Sequence, residues 1–169
     1  MAATISDLRE RPAFAGIVAD RVWRAFWKEQ GHPLDRLKGL VLRSLEPGPV
    51  PTTLVAHEGD LFLGTVSLIA CDEESRPDYS PWIAALWVEP EHRRRGIGES
   101  LVDRAFRLAR DAGAGRVYLL AGEARRAFYE KRGWSICEAD VPRSGMHVLV
   151  RSAIRRNREE PVFPSLGKR

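Results

Sequence analysis

The stretch WIAALWVEPEHRRRGIGESLVDRAFRLARDA, residues 82–112, limits what this chain can fold into more than any other. Trp82 to Val88 is a nearly unbroken apolar run, as expected of a central strand buried on both faces. From Ile97 the apolar residues recur at helical spacing. Leu101, Val102, Ala105, Phe106, Leu108, Ala109 and Ala112 form one broad face, and Glu99, Asp103, Arg104, Arg107 and Arg110 form the other. A buried strand that turns through glycines into a long amphipathic helix requires a sheet with helices laid over it.

The rest of the chain supplies that sheet. The first residues read as a short strand or an arm. Pro12 opens a helical pattern carried by Phe14, Ile17, Val18, Val22, Ala25 and Phe26, and Gly31 closes it. Pro33 begins a second helix with Leu34, Leu37, Val41 and Leu45 as its stripe, stopped by Glu46-Pro47-Gly48-Pro49. TTLVAHEGDLFLGTVSLIA, from Thr52, reads as a hairpin turning at Glu58-Gly59-Asp60, and the polar segment Cys71 to Pro81 as a loop. The long helix closes at Gly113 and Gly115, and RVYLLA, from Arg116, is a second buried strand. GEARRAFYEKRG is a short helix ended by Gly133, with Trp134–Asp140 and Met146–Val150 as a last pair of strands. The expected class is α/β of the α+β type, in a single domain over residues 1–151. A chain of 169 residues suits one such core. Residues 152–169 read as a basic tail, expected to be partly disordered.

Arg93, Arg94 and Arg95 run straight into Gly96-Ile97-Gly98. A helix start already carries partial positive charge, so each unpartnered cation there costs roughly 0.3–1 kcal/mol. An anion would remove the conflict. Glycine allows close approach, successive free N–H groups cradle a phosphate, and guanidinium groups add charge-assisted bonds. A P-loop would need Lys-Ser/Thr after its last glycine, and Gly98 is followed by Glu99-Ser100. A dinucleotide fingerprint would need a third glycine where Leu101 stands.

VEPEHRRRGIGESLV resembles the acetyl-CoA-binding motif of the GNAT superfamily of N-acetyltransferases. That motif is R/Q-x-x-G-x-G/A, here Arg93-x-x-Gly96-x-Gly98. Phe128 to Trp134, FYEKRGW, resembles the family's second landmark, a tyrosine on a short helix followed by glycine and an aromatic residue. The element order from Pro12 to Val150 agrees. RPDYSPWIAALWVEPEHRRRGIG further resembles bacterial members whose acceptor is generally unassigned.

The resemblance implies the GNAT fold, a mixed central sheet of about six to seven strands with helices on both faces. It implies an acyltransferase that moves an acetyl group from acetyl-CoA to a primary amine of a small molecule or peptide by direct attack. The strand holding Leu86 and Val88 would splay from Val117–Leu120, and its main chain would bind the pantetheine arm. The N–H groups across Arg94, Arg95, Gly96, Ile97, Gly98, Glu99 and Ser100 would hold the pyrophosphate, with Arg93 as the motif arginine. Phe128 would pack near the cofactor. Tyr129 would face the sulfur and protonate the departing thiolate. One departure is Gly122, seven residues before the tyrosine, where many relatives place an asparagine against the cofactor.

No base stands on Trp82–Val88, which has no Asp, Glu or His. Asp72, Glu73, Glu74 and Asp78 in the preceding loop are candidates, and a water relay is the alternative. The acceptor cleft is expected between Glu29–His32, Asp72–Pro81 and Val141–Gly145. The missing base keeps a rival in view, a non-catalytic acyl-CoA sensor or interaction module.

Net charge is +4, but much of the basic excess lies in Arg93–Arg95 and in the tail from Arg151. No nucleic-acid signature accompanies it, so no nucleic-acid partner is expected. No apolar run is long enough to cross a membrane. His32, His57, His92 and His147 are dispersed and Cys71 and Cys137 lack ligand spacing, so no metal is expected. MAATISDLRE reads as no secretory signal, and a reduced, cytoplasmic setting is expected. Homodimers are common in the resembled family, and no interface is legible here.

Overall fold

A computed structural model of the chain describes residues 2–142 and 144–154. Among these residues seven strands form one sheet: β1 (Thr4–Asp7), β2 (Thr52–Glu58), β3 (Leu61–Ile69), β4 (Trp82–Val88), β5 (Arg116–Ala121), β6 (Ser135–Glu138) and β7 (His147–Ser152). Their order is β1-β2-β3-β4-β5-β7-β6. β4 and β5 run parallel, and the other neighbours are antiparallel. The parallel step needs a crossover, and α3 (Ile97–Asp111) provides it.

Strand alternation sorts the core into two faces. Leu54, Leu63, Ile83, Leu119 and Leu149 lie under α3 and α4 (Glu123–Glu130), packed with Leu101, Phe106, Tyr129 and Trp134. Val55 and Phe62 point the other way, against Val18 and Val22 of α1 (Ala15–Val22) and Leu37 and Val41 of α2 (Leu34–Arg43). Further along that second face, Trp82, Tyr118 and Val148 are covered by Val141 and by Tyr79 from the β3–β4 loop. Helices thus cover both faces, and each fully buried Leu or Phe contributes about 1.5–3 kcal/mol.

Several elements depart from the sequence reading. The arm at the N-terminus is β1, paired with β2 through Thr4 and His57. The first helix is not uniform: a 3-10 turn, Pro12–Phe14, leads into α1, and Trp23–Trp27 then form a π-helical turn. Trp23 donates its indole N–H to the His32 carbonyl at 2.8 Å, which ties that turn to the α1–α2 junction. Phe26, read as core, is 43% exposed. α3 ends at Asp111, ahead of Gly113, whose φ is +94°. β6 is shorter than expected because Trp134 is drawn into the core at 2% exposure. β7 continues to Ser152, and Ala153 beyond it is buried, so ordered packing passes the expected boundary at residue 151. The expected tail from residue 155 onward lies outside the described residues.

Candidate active site

β4 is bent by a bulge. Thr65 pairs with Trp87 and Ser67 with Ala84, so β4 carries one extra residue there, and Ala85 stands at φ +55°. β4 and β5 pair only at Trp82–Tyr118 and Ile83–Leu119. Beyond those pairs the two strands part, and the main chain from Ala84 to Val88 loses its β5 neighbour. Leu86 and Val88 pack their side chains toward α3, where a Cβ built on Gly98 would lie 3.8 Å from Leu86 and 3.7 Å from Val88.

The turn from β4 into α3 is held in an uncommon conformation. Arg94 has φ +61° and Gly96, the N-cap of α3, φ +76°. A left-handed non-glycine residue costs roughly 1–2 kcal/mol. The first helical bond runs from Ser100 N–H to the Gly96 carbonyl at 3.0 Å. The N–H groups of Arg94 through Glu99 therefore have no acceptor among the described residues. Ser100, expected to offer its N–H to a ligand, has already used it. Ile97 is buried and anchors the turn against the core.

The three arginines are not aimed alike. Arg93 donates its Nε–H to the Val88 carbonyl at 2.9 Å, with its guanidinium 4.7 Å from the Trp87 ring centroid. Arg95 pairs with Glu58 at 2.7 Å and lies 2.9 Å from His92 Nδ1. Arg94 is exposed and makes no hydrogen bond or ion pair among the described residues. The positive charges of Arg93 and Arg94 are both left without an acidic partner.

On α4, Ala124, Ala127 and Phe128 face outward, with Phe128 37% exposed, while Tyr129 is only 6% exposed. The Tyr129 ring meets Phe128 edge-on at 5.1 Å and Trp134 at 6.3 Å between centroids. Burial pushes its hydroxyl above the ordinary tyrosine range, although Arg125 and Arg132 act the other way. Gly122 is the N-cap of α4, so this stretch of chain offers no side chain where an asparagine was expected.

The carboxylates of the β3–β4 loop are placed separately. Glu73 accepts from Ser75 within the loop. Asp72 is solvent-accessible, yet desolvation pushes its carboxyl up to about 6, and the Glu73 charge adds to the rise. Across the second face, Arg76 pairs with Glu138 of β6 at 2.6 Å and Tyr79 stacks on Tyr118 at 4.5 Å. The loop and the turn carrying Val141 are thereby brought together, while the α1–α2 junction packs beside Ala85 and Trp87.

Two features of the site were missed. The bulge at Ala85 has no signal inside a continuous apolar run. Arg132 bonds to Glu99 at 2.9 Å and to the Phe128 carbonyl at 2.8 Å. Its signal was a cation at a helix C-terminus within FYEKRGW. Among the described residues no cluster of His, Cys, Asp and Glu could hold a metal ion, and no helix is long and apolar enough to cross a membrane.

Residues 18–134 match the acetyltransferase (GNAT) family. The chain belongs to that family. As a GNAT protein it is an acyltransferase. Solved structures share its fold. Aminoglycoside 6'-acetyltransferase type Ii matches at 21% identity over 92% of this chain and 99% of its own, with a TM-score of 0.69. yncA from Salmonella typhimurium, a structure with its cofactor acetyl-CoA, matches at 18% over 95% and 99%, TM-score 0.67. An acetyltransferase from Staphylococcus aureus Mu50 matches at 16% over 90% and 100%, TM-score 0.67. No curated protein matches the sequence.

Proposed function

We propose that this GNAT protein binds acetyl-CoA along the gap between β4 and β5 and transfers the acetyl group to a primary amine of a small molecule or peptide. One observation carries the reading. Strand pairing stops after Ile83 and Leu119, and the gap so formed leads to the run of unpaired N–H groups that starts α3. β4 main chain at Leu86 and Val88 suits the amides of a pantetheine arm. The N–H groups from Arg94 to Glu99 suit a pyrophosphate, with the uncompensated charges of Arg93 and Arg94 beside them. Phe128 offers its exposed ring to the same ligand. The acetyl-CoA held by yncA supports this choice of donor, as does the coenzyme A held by an aminoglycoside 6'-N-acetyltransferase that matches at 19% identity.

In the reaction the acceptor nitrogen attacks the thioester carbonyl, the carbon–sulfur bond breaks, and the thiolate gains a proton while the amine loses one. Tyr129 is the proton donor. The tyrosine ring is buried and desolvation raises its hydroxyl above the ordinary tyrosine range, so the group stays protonated at neutral pH. Asp72 is the base. A carboxyl titrating at about 6 is ionised at pH 7 and takes a proton more readily than an ordinary aspartate. The reading places the protein in a reduced, cytoplasmic setting, in keeping with its exposed free Cys71 and Cys137.

The test is thiol release from acetyl-CoA across polyamines, amino acids, aminoglycosides and peptide N-termini. Release with at least one class of amine is the expected result. Acetyl-CoA binding with no release across the panel would mark a sensor, and no binding would overturn the donor assignment.

A further inference from the structure

We propose that Arg132 is a ligand for the cofactor's pyrophosphate, held on Glu99 until that anion arrives. The proposal rests on the acetyl-CoA reading above and adds a residue from outside the glycine motif. Arg132 follows α4, and its guanidinium lies 3.7 Å from the centroid of the Phe128 ring. One Nη donates to the Phe128 carbonyl and the other to Glu99 Oε2. Its Nε is buried and has no hydrogen-bond partner among the described residues. A guanidinium with a buried, unused donor is not fully served by its present partners.

Glu99 is the acidic residue in the first turn of α3, and its own N–H is one of the unpaired groups at that helix start. Arg132 is therefore one glutamate side chain away from the N–H cradle. Glu99 suits the helix dipole but repels an incoming phosphate. Arg132 neutralises it and holds the carboxyl below the ordinary glutamate range. The pair is weakly held, since the Glu99 side chain is 45% exposed and that of Arg132 29%. A pyrophosphate in the cradle offers the fork a doubly charged partner with bidentate geometry, which is the stronger bond. The exchange asks Arg132 to give up only its Glu99 partner, since the Phe128 carbonyl and ring hold it from the other side.

The other cations are less free to serve. Arg95 is committed to Glu58, whose side chain is 19% exposed, and Arg93 to the Val88 carbonyl and the Trp87 ring. Arg132 and Arg94 remain as the side chains that can turn to the ligand.

The test measures coenzyme A affinity by calorimetry for wild type, Arg132→Met, Glu99→Gln and the double variant, with S-acetylpantetheine kinetics alongside. Glu99→Gln should tighten coenzyme A by about threefold or more, because it releases Arg132. Arg132→Met in the Glu99→Gln background should weaken it by about tenfold. Neither change should alter KM for S-acetylpantetheine, which has no pyrophosphate. Arg132→Lys should bind coenzyme A more tightly than Arg132→Met; a folding defect would instead weaken both ligands in both variants. Unchanged affinity on adding Arg132→Met to Glu99→Gln would reduce Arg132 to a counter-ion and overturn the proposal alone. A wild-type protein that binds no coenzyme A would overturn the acetyl-CoA reading with it.

Discussion

Tyr129 has a buried ring and a hydroxyl that bonds to nothing among the described residues, so the hydroxyl adds nothing visible to the fold. Replacing it by phenylalanine removes no hydrogen bond from the fold, so Tyr129→Phe should leave stability within about 1 kcal/mol of wild type. Turnover should fall by about 10²-fold or more, with KM for acetyl-CoA nearly unchanged, if the hydroxyl protonates the thiolate. Steady-state kinetics with a thermal melt separates the two effects; equal turnover with chemistry rate-limiting removes Tyr129 from the acid role. Asp72 makes a pH prediction. As the base it must be ionised, so kcat/KM should fall below about pH 6, and Asp72→Asn should lower the rate and abolish that limb. The stability sign is opposite to the usual carboxylate. The folded carboxyl binds its proton more tightly than the ordinary value of 3.8 allows, so ionisation between that value and about 6 costs the folded state stability. Asp72→Asn should thus melt slightly higher at pH 7 and equally at pH 3. At this scale the sequence pointed to Tyr129 through its motif, but gave no sign that its ring would be buried. α4 has only 8 residues, too few turns for periodicity to fix which face is buried. Glu99–Arg132 was illegible because the two residues lie 33 apart in sequence.

The elements that build the site depend on close backbone approach at one glycine the motif does not contain. Gly64 lies in β3 opposite Val88, and a Cβ there would come within 2.6 Å of the Trp87 carbonyl oxygen. That neighbour is main chain and cannot rotate away. Gly64→Ala should therefore destabilise the fold by about 1–3 kcal/mol and displace β4 at its bulge, weakening acetyl-CoA binding as well. Gly98 provides the contrast. Its Cβ space is ordinary contact, and alanine in a helix is favoured by about 1 kcal/mol over glycine. Gly98→Ala should melt higher than wild type and Gly64→Ala lower; the reverse order in a denaturation series would show that β4 yields more easily than the geometry indicates. The amphipathic pattern of α3 and the apolar run of β4 were legible because each follows one period over several turns or pleats. The bulge and the π-helical turn were not. The bulge comes from pairing with β3 and the π-helical turn goes with a bond from Trp23 to the His32 carbonyl, and a hydrophobic period carries no trace of either.

For the molecule as a whole, the order β3-β4-β5-β7 matters more than any single strand. It sets the one parallel step beside β4 and lets β4 and β5 part after two residue pairs, so the donor gap belongs to the sheet. α3 and α4 occupy one face and α1, α2 and the β3–β4 loop the other, so under the proposed function donor and acceptor would approach that gap from opposite sides. The family motif made the glycine turn between β4 and α3 legible in sequence. The acceptor side was legible only as separate polar segments, because the loop is held by long-range contacts. Arg76 to Glu138 and Tyr79 to Tyr118 strap it across β5, β7 and β6. Both partners of the ion pair keep 29% of their side-chain surface, so the pair should contribute modestly, about 0.5–1 kcal/mol, to the whole fold. Its local effect should be larger, since it ties the β3–β4 loop to β6. Arg76→Gln should raise KM for the amine several-fold and lower kcat, while KM for acetyl-CoA and the melting temperature stay close to wild type. Bisubstrate kinetics reads the two constants separately. If both KM values rose together, the loop would support the whole cleft rather than its acceptor side, and an equal amine KM would show that the strap does not shape acceptor binding.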